Sequence, residues 1–157
     1  MNAFDVVASR FERYRVLPAG VSAAVRRALQ EHGGLTPGSP LLEVGCGTGR
    51  IGEEFCIAGD DYVGLDSSMG MLQEFRRKDL PQTPALIQAD GGHLPFRDRA
   101  FDAVLMVQLL TARNWPRLLA EAHRILQEQG VLAIGKTEGP PGGIDARMRE
   151  RLETLIS

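Results

Sequence analysis

Three alternating glycines, Gly45, Gly47 and Gly49, follow the run Leu41-Leu42-Glu43-Val44 and precede Arg50. The order reads as a short apolar strand ending near an acid, a glycine turn, and the start of a helix. Glycine lacks a Cβ, so the backbone can adopt positive φ and a ligand can approach the main-chain amides. The helix behind the turn adds free N–H groups and the positive end of a dipole. Such a turn suits the anionic or polar middle of a nucleotide-like cofactor.

The rest of the chain repeats this alternation. Two helices are expected first, over about 3–17 and 19–32, from the helical spacing of Phe4, Val7, Ala8, Phe11 and Tyr14 and then of Val21, Ala24, Val25, Ala28 and Leu29. Gly33-Gly34 ends the second, and Thr36-Pro37-Gly38-Ser39-Pro40 is a turn-rich linker. Strands are expected at 41–44, 62–65, 85–88, 101–107 and 131–134. Helices fall between them at about 50–58, 68–78 (Met69, Leu72 and Phe75 inward) and 115–126, with Gly130 as a C-cap. The run 101–107 is almost wholly apolar, as in a strand covered on both faces. A last amphipathic helix is expected over about 144–156. Strand and helix in alternation imply right-handed crossovers and a doubly wound parallel sheet.

At 157 residues and 43% hydrophobic, the chain makes one domain with a real core. Its parts are N-terminal helices at 1–34, a core at 40–136 and a C-terminal helix at 144–157. A net charge of −2 provides no basic field for nucleic acid. The arginine clusters read as solvated helix faces. Cys46 and Cys56 suffice for neither a disulfide framework nor a zinc site, and His32, His93 and His123 lack metal-ligand spacing. Neither a secretion signal nor a membrane span is visible, so a cytoplasmic protein with reduced thiols is expected.

In a doubly wound sheet, ligands bind beyond the carboxyl ends of the strands, where strand order reverses. Asp66 ends strand 2, 21 residues after Gly45, and a carboxylate there can accept both hydroxyls of a ribose. Asp90 follows strand 3 and can accept from an adenine amino group. Either acid alone could be a helix cap or turn residue. Together with the glycine turn, they fall in order at the ends of strands 1, 2 and 3, which favours a cofactor site.

The motifs Leu-Leu-Glu-Val-Gly-Cys-Gly-Thr-Gly at 41–49, Val-Gly-Leu-Asp-Ser-Ser-Met-Gly-Met-Leu at 63–72 and Gln-Ala-Asp-Gly-Gly-His-Leu-Pro-Phe at 88–96 occur in sequence. Phe-Asp-Ala-Val-Leu at 101–105 and Glu-Ala-His-Arg-Ile-Leu with Gly-Val-Leu within 121–132 follow them. Over roughly residues 40–136 the chain resembles the class I S-adenosylmethionine-dependent methyltransferases, in particular their small-molecule and ubiquinone- or biotin-pathway-like branch. The resemblance implies a Rossmann-like five-stranded sheet of order 3-2-1-4-5 with an N-terminal helical lid. It implies S-adenosylmethionine as cofactor and in-line methyl transfer to a small-molecule acceptor. Glu43, Gly45, Cys46, Gly47 and Gly49 would surround its methionine moiety. Asp66 would hold the ribose, Ser67 and Met69 would lie near the adenine, and Asp90 with Gly91 would meet the adenine amino group. Gln108 would border the transfer side. Tyr14 and Arg15, in the lid, would cover the cofactor. Gln108 and His93 are weak catalytic candidates.

Other readings remain. Gly47-x-Gly49-x-x-Gly52 formally fits a nicotinamide-dinucleotide fingerprint, but it gives Asp90 no role and the chain offers no hydride-transfer dyad. A phosphate-binding P-loop is excluded by the missing Gly-Lys-Ser/Thr. The signature of amino-methylating nucleic-acid enzymes is absent after strand 4, which argues against a DNA acceptor. The family's domain usually continues through two further strands beyond the place where this chain stops. Strand 5 is therefore expected as an open sheet edge, covered by the C-terminal helix or by the second subunit of a homodimer. A module that binds S-adenosylmethionine or S-adenosylhomocysteine without independent catalysis is the second reading.

Overall fold

The computed structural model describes residues 3–14, 17–109 and 115–136. Its elements run α1 (Ala3–Tyr14), α2 (Val21–Gly33), β1 (Leu41–Val44), α3 (Gly52–Ala58), β2 (Tyr62–Asp66) and α4 (Met69–Arg76). They continue with β3 (Ala85–Gln88), β4 (Phe101–Val107), α5 (Trp115–Ile125) and β5 (Leu126–Gly135). All strand pairings are parallel, and the order is β3-β2-β1-β4-β5, as the alternation and the resemblance imply.

The central strands β1 and β4 are mostly apolar because both faces are covered. Every residue of β1 is buried. Successive side chains point to opposite faces. Leu41 of β1 and Ala103 and Leu105 of β4 join a core with Phe55, Tyr62, Leu72 and Phe75. Leu42 and Val44, with Val104 and Met106, join the opposite core with Leu118, Ala122 and Ile125.

α1 is fixed by a polar tie to α4. The Asp5 carboxylate accepts from the Ser68 hydroxyl at 2.5 Å and from the Gly70 N–H at 3.1 Å. Ser68 is the N-cap of α4, and its Oγ accepts from the Met71 N–H. Asp5 thus satisfies a further free amide of that helix start.

The structure departs from the sequence expectation in three places. α4 starts after its Ser68 cap, so Met71, Leu72 and Phe75 face inward and Met69 is 43% exposed. α5 ends at Ile125, because the Arg99 and Ala100 N–H groups donate to the carbonyls of Arg124 and Ile125. Gly130 is therefore no C-cap; it lies inside β5, in a register shift between Phe101↔Leu126 and Ala103↔Val131. A Cβ on Gly130 would come within 2.9 Å of the Leu126 side chain and 3.0 Å of the Gln127 carbonyl. The helix expected over about 144–156 lies outside the described residues.

Candidate functional site

The register brings the strand ends into line. Val44 pairs with Leu65 and with Met106, and Asp66 pairs with Gln88. The chain leaving β1, β2, β3 and β4 therefore emerges on one side of the sheet, at the reversal of strand order. Main-chain bonds extend the alignment past the strands. The Gly45 N–H donates to Leu65 O at 2.7 Å, the Ala89 N–H to Asp66 O at 3.1 Å and the Gln108 N–H to Gly135 O at 2.8 Å.

The glycine turn is left-handed at every second residue, with φ of 74° at Gly45, 56° at Gly47 and 79° at Gly49. At Gly49 conformation and space agree, since a Cβ there would lie 2.3 Å from the Phe75 ring. The turn is clamped from β2. Asp66 Oδ2 accepts from the Gly47 N–H at 2.9 Å, and Oδ1 accepts from the Ser68 N–H at 2.8 Å. Burial raises the Asp66 carboxyl above its usual pKa, against the opposing effect of the Ser68, Gly47 and Ser67 amides.

Behind the turn lies Glu43, 2% exposed, whose Oε2 accepts from the Tyr62 hydroxyl at 2.7 Å. Burial pushes its pKa up to about 7; the Tyr62 bond and Arg50 oppose the rise, and Asp66 adds to it. Burial also lifts the Cys46 and Tyr62 groups well above their ordinary values and the Cys56 thiol to about 11, which leaves both cysteines as unreactive thiols.

The third strand end carries Asp90, whose Oδ1 accepts from the Gly92 N–H at 2.9 Å. Its loop is fixed by α5. Glu121 accepts from the Leu94 N–H at 2.7 Å, and Arg124 donates to Leu94 O and Phe96 O while pairing with Glu121 and Asp98. The Arg124 bonds hold the Glu121 carboxyl down, at a pKa of about 2. After β4, Gln108 is held in the left-handed region at φ 61°, an uncommon conformation for a residue with a side chain.

These ends enclose a cavity of about 580 Å³, within the range of small-molecule and cofactor sites. From the turn, Glu43, Gly45, Cys46 and Gly47 line it; from the other strand ends come Asp66, Ser67, Asp90, Gly91 and Gln108. Gly49 and Met69 are not among its lining residues. Nor is His93, which is exposed and lies with Nε2 2.7 Å from the Arg117 guanidinium. Arg15 and the Tyr14 side chain lie outside the described residues. Several wall residues were not singled out for the site in the sequence: Phe4 and Phe11 of α1, Thr48, Met71 and Lys136. The Arg50 guanidinium, also in the wall, lies 5.1 Å over the Phe11 ring. Strict helical spacing in α1 gave a hint of Phe4 and Phe11, but not of the cavity they meet.

The fold and this crevice define a Rossmann-like α/β domain with a cofactor-sized site at the switch point of its sheet. Residues 42–134 match the family described as a methyltransferase domain, and the chain belongs to that family, the class I S-adenosylmethionine-dependent methyltransferases. The chain is 36% identical over 144 residues to a demethylmenaquinone methyltransferase of Renibacterium salmoninarum, covering 89% of this chain and 59% of the relative. It is 33% identical to the demethylmenaquinone methyltransferase of Corynebacterium urealyticum, over 87% of this chain and 59% of that one. The chain thus spans about three fifths of the length of these relatives. Among solved structures it resembles a Thermotoga maritima S-adenosylmethionine-dependent methyltransferase, a possible histamine N-methyltransferase. That likeness has a TM-score of 0.64 at 24% identity, covering 94% of this chain and 66% of that one.

Proposed function

We propose that this chain binds S-adenosylmethionine in the cavity at the strand ends and transfers its methyl group to a small molecule. The demethylmenaquinone methyltransferases among its relatives favour a quinol-like ring as the acceptor. The observation that carries the reading is the Asp66 carboxylate, which lines the cavity at the end of β2 while its Oδ2 accepts from the Gly47 N–H of the glycine turn. An acid held there accepts from ribose hydroxyls, and the turn beside it leaves open space over Gly47, where no Cβ stands, for the amino-acid end to approach the main chain.

The bound sulfonium would supply an activated methyl group. The protein's part is positioning and exclusion of water, which in favourable cases lower a barrier by about 7–11 kcal/mol. Asp66 orients the ribose, Asp90 and Gly91 receive the adenine edge, and Glu43 offers negative charge toward the ammonium. Phe4, Phe11 and Leu118 give the wall its apolar part. Gln108, locked by its left-handed backbone, borders the side where an acceptor would approach.

Calorimetric titration with S-adenosylmethionine and S-adenosylhomocysteine tests the first step, with NAD as the control. Micromolar binding of the sulfur compounds that falls at least tenfold in Asp66→Asn is the expected outcome. Binding of NAD alone would replace the reading with a nicotinamide site. Turnover is then assayed with demethylated quinols. Cofactor binding without methylation of any acceptor would favour the module that binds without transferring.

A further inference from the structure

The strands divide the cavity wall by charge. In the order β3-β2-β1-β4-β5, Asp90 follows β3, Asp66 ends β2, Glu43 lies in β1, and Lys136 follows β5. Among the described residues the wall has one other cation, Arg50, which follows the glycine turn and lies over the Phe11 ring. The cofactor reading uses the ends of β3, β2 and β1. It gives no role to Lys136, whose strand lies three spacings, about 14 Å, from β2.

The backbone fixes where Lys136 stands. Val107 pairs with Gly135, and the Gln108 N–H donates to the Gly135 carbonyl at 2.8 Å, so residues 108 and 136 leave the sheet side by side. Gln108 turns there at φ 61°, a conformation that costs a residue with a side chain. Val107 and Leu109 add apolar wall before and after it. Leu109 also lies over the glycine turn, since a Cβ on Gly45 would come within 2.8 Å of its side chain. The ends of β4 and β5 thus bring an apolar surface, an amide and an ammonium to the part of the cavity that the cofactor reading leaves for the acceptor.

Charge indicates which acceptor suits that part. A lysine is cationic at neutral pH, and the sulfonium of S-adenosylmethionine is cationic too. Two like charges on one cavity oppose each other unless an anion comes between them. An acceptor with an ionised oxygen is attracted by both.

We propose that Lys136 is an acceptor-binding group that selects ring-bearing acceptors carrying an ionised oxygen, a carboxylate or a phenolate. The inference rests on the reading of the cavity as a methyl-transfer site and narrows its acceptor to an acid. Val107 and Leu109 receive the ring, and the Lys136 ammonium donates to the ionised oxygen, a charge-assisted bond stronger than a neutral one.

The test uses the protein saturated with S-adenosylhomocysteine and two pairs of probes. One pair is 2-naphthoate and its neutral amide; the other is 4-nitro-1-naphthol, ionised at pH 8, and its neutral methyl ether. Each probe is titrated calorimetrically at pH 8 into the wild type, Lys136→Met, Lys136→Arg and Arg117→Met. The wild type is expected to bind at least one anion about tenfold more tightly than its neutral counterpart, the size of one hydrogen bond to a charged group. The two pairs distinguish a carboxylate from a phenolate as the favoured oxygen. Lys136→Met should lose the preference and Lys136→Arg should keep most of it. Arg117→Met, which removes an exposed charge beside His93, should leave it unchanged. Equal affinity of the wild type for charged and neutral probes, binding of none of them, or a preference that survives in Lys136→Met overturns the inference and leaves the cofactor site intact. A wild type that does not bind S-adenosylhomocysteine overturns the cofactor reading and this inference with it.

Discussion

Glu43 is a carboxylate buried among groups that do not neutralise it. Its neighbours are Tyr62 and Asp66 on β2, Cys46 and Arg50 in the turn and Cys56 on α3, and burial carries its pKa to about 7 from the ordinary 4.5. Between those two values the folded protein holds a proton that the unfolded chain has already lost. The stability contributed by this group is complete below pH 4.5, falls as pH rises to about 7, and is flat above. Glu43→Gln should remove that slope and stabilise the ligand-free protein at pH 8, by on the order of 3 kcal/mol at most. Denaturant unfolding at pH 5 and pH 8 measures it, and equal stabilities of the wild type at the two values would mean that Glu43 ionises normally. Single residues of the site were legible where position alone defines them. Asp66 and Asp90 stand at strand ends, and the end of a strand can be read from where an apolar run stops. Thr48 was not legible, because a threonine in a glycine turn has the same spacing whether or not it reaches a cavity wall. His93, a weak catalytic candidate in the sequence, lies in an exposed position with its ring beside Arg117.

The elements fit one another through places with no room for a side chain. α3 begins at Gly52, where a Cβ would lie 2.1 Å from the Tyr62 hydroxyl oxygen and 2.9 Å from Glu43 Oε2. Gly52→Ala should therefore push Tyr62 off Glu43 and strip a buried carboxylate of its donor. The expected cost is about 2–4 kcal/mol, combining overpacking with a lost buried hydrogen bond. Gly49→Ala should cost at least as much, because it adds left-handed strain to a clash with the Phe75 ring. Urea unfolding of both variants gives the numbers, and a change below about 0.5 kcal/mol in either would mean that the turn relaxes freely. The order and direction of strands followed from the alternation, since parallel neighbours need helical crossovers and these have one hand. Element boundaries were harder to read where distant chain supplied the cap. α5 stops at Ile125 because residues 99 and 100 take its last carbonyls, a contact that no local pattern around Gly130 encodes. The phase of α4 was set by its Ser68 cap, so Met71 rather than Met69 turned inward.

At the scale of the whole molecule, the site is made by chain segments that only the sheet brings together. Ligand binding and global stability should therefore be linked. S-adenosylhomocysteine at 100 times its Kd should stabilise the protein by about 2.7 kcal/mol, visible as a rise in melting temperature that grows with ligand concentration. An unchanged melting temperature at saturation would separate the binding site from the cooperative core. α1 enters this linkage through Asp5, which holds the Ser68 hydroxyl and the Gly70 N–H. Asp66 holds the Ser68 N–H and Asp5 holds the Ser68 hydroxyl, so the acid proposed to hold the ribose and the anchor of α1 grip the backbone and the side chain of one residue. Phe4 and Phe11 follow that anchor to the cavity wall. The consequence is one of residence time. On the proposed reading, a ligand seated against Asp66 would steady the serine to which α1 is tied, and α1 would in turn shield the ligand's way out. Asp5→Ala should thus quicken ligand escape in stopped-flow displacement by several-fold more than it alters entry, and the dwell of a ligand in this crevice would be set by a helix far from it in sequence.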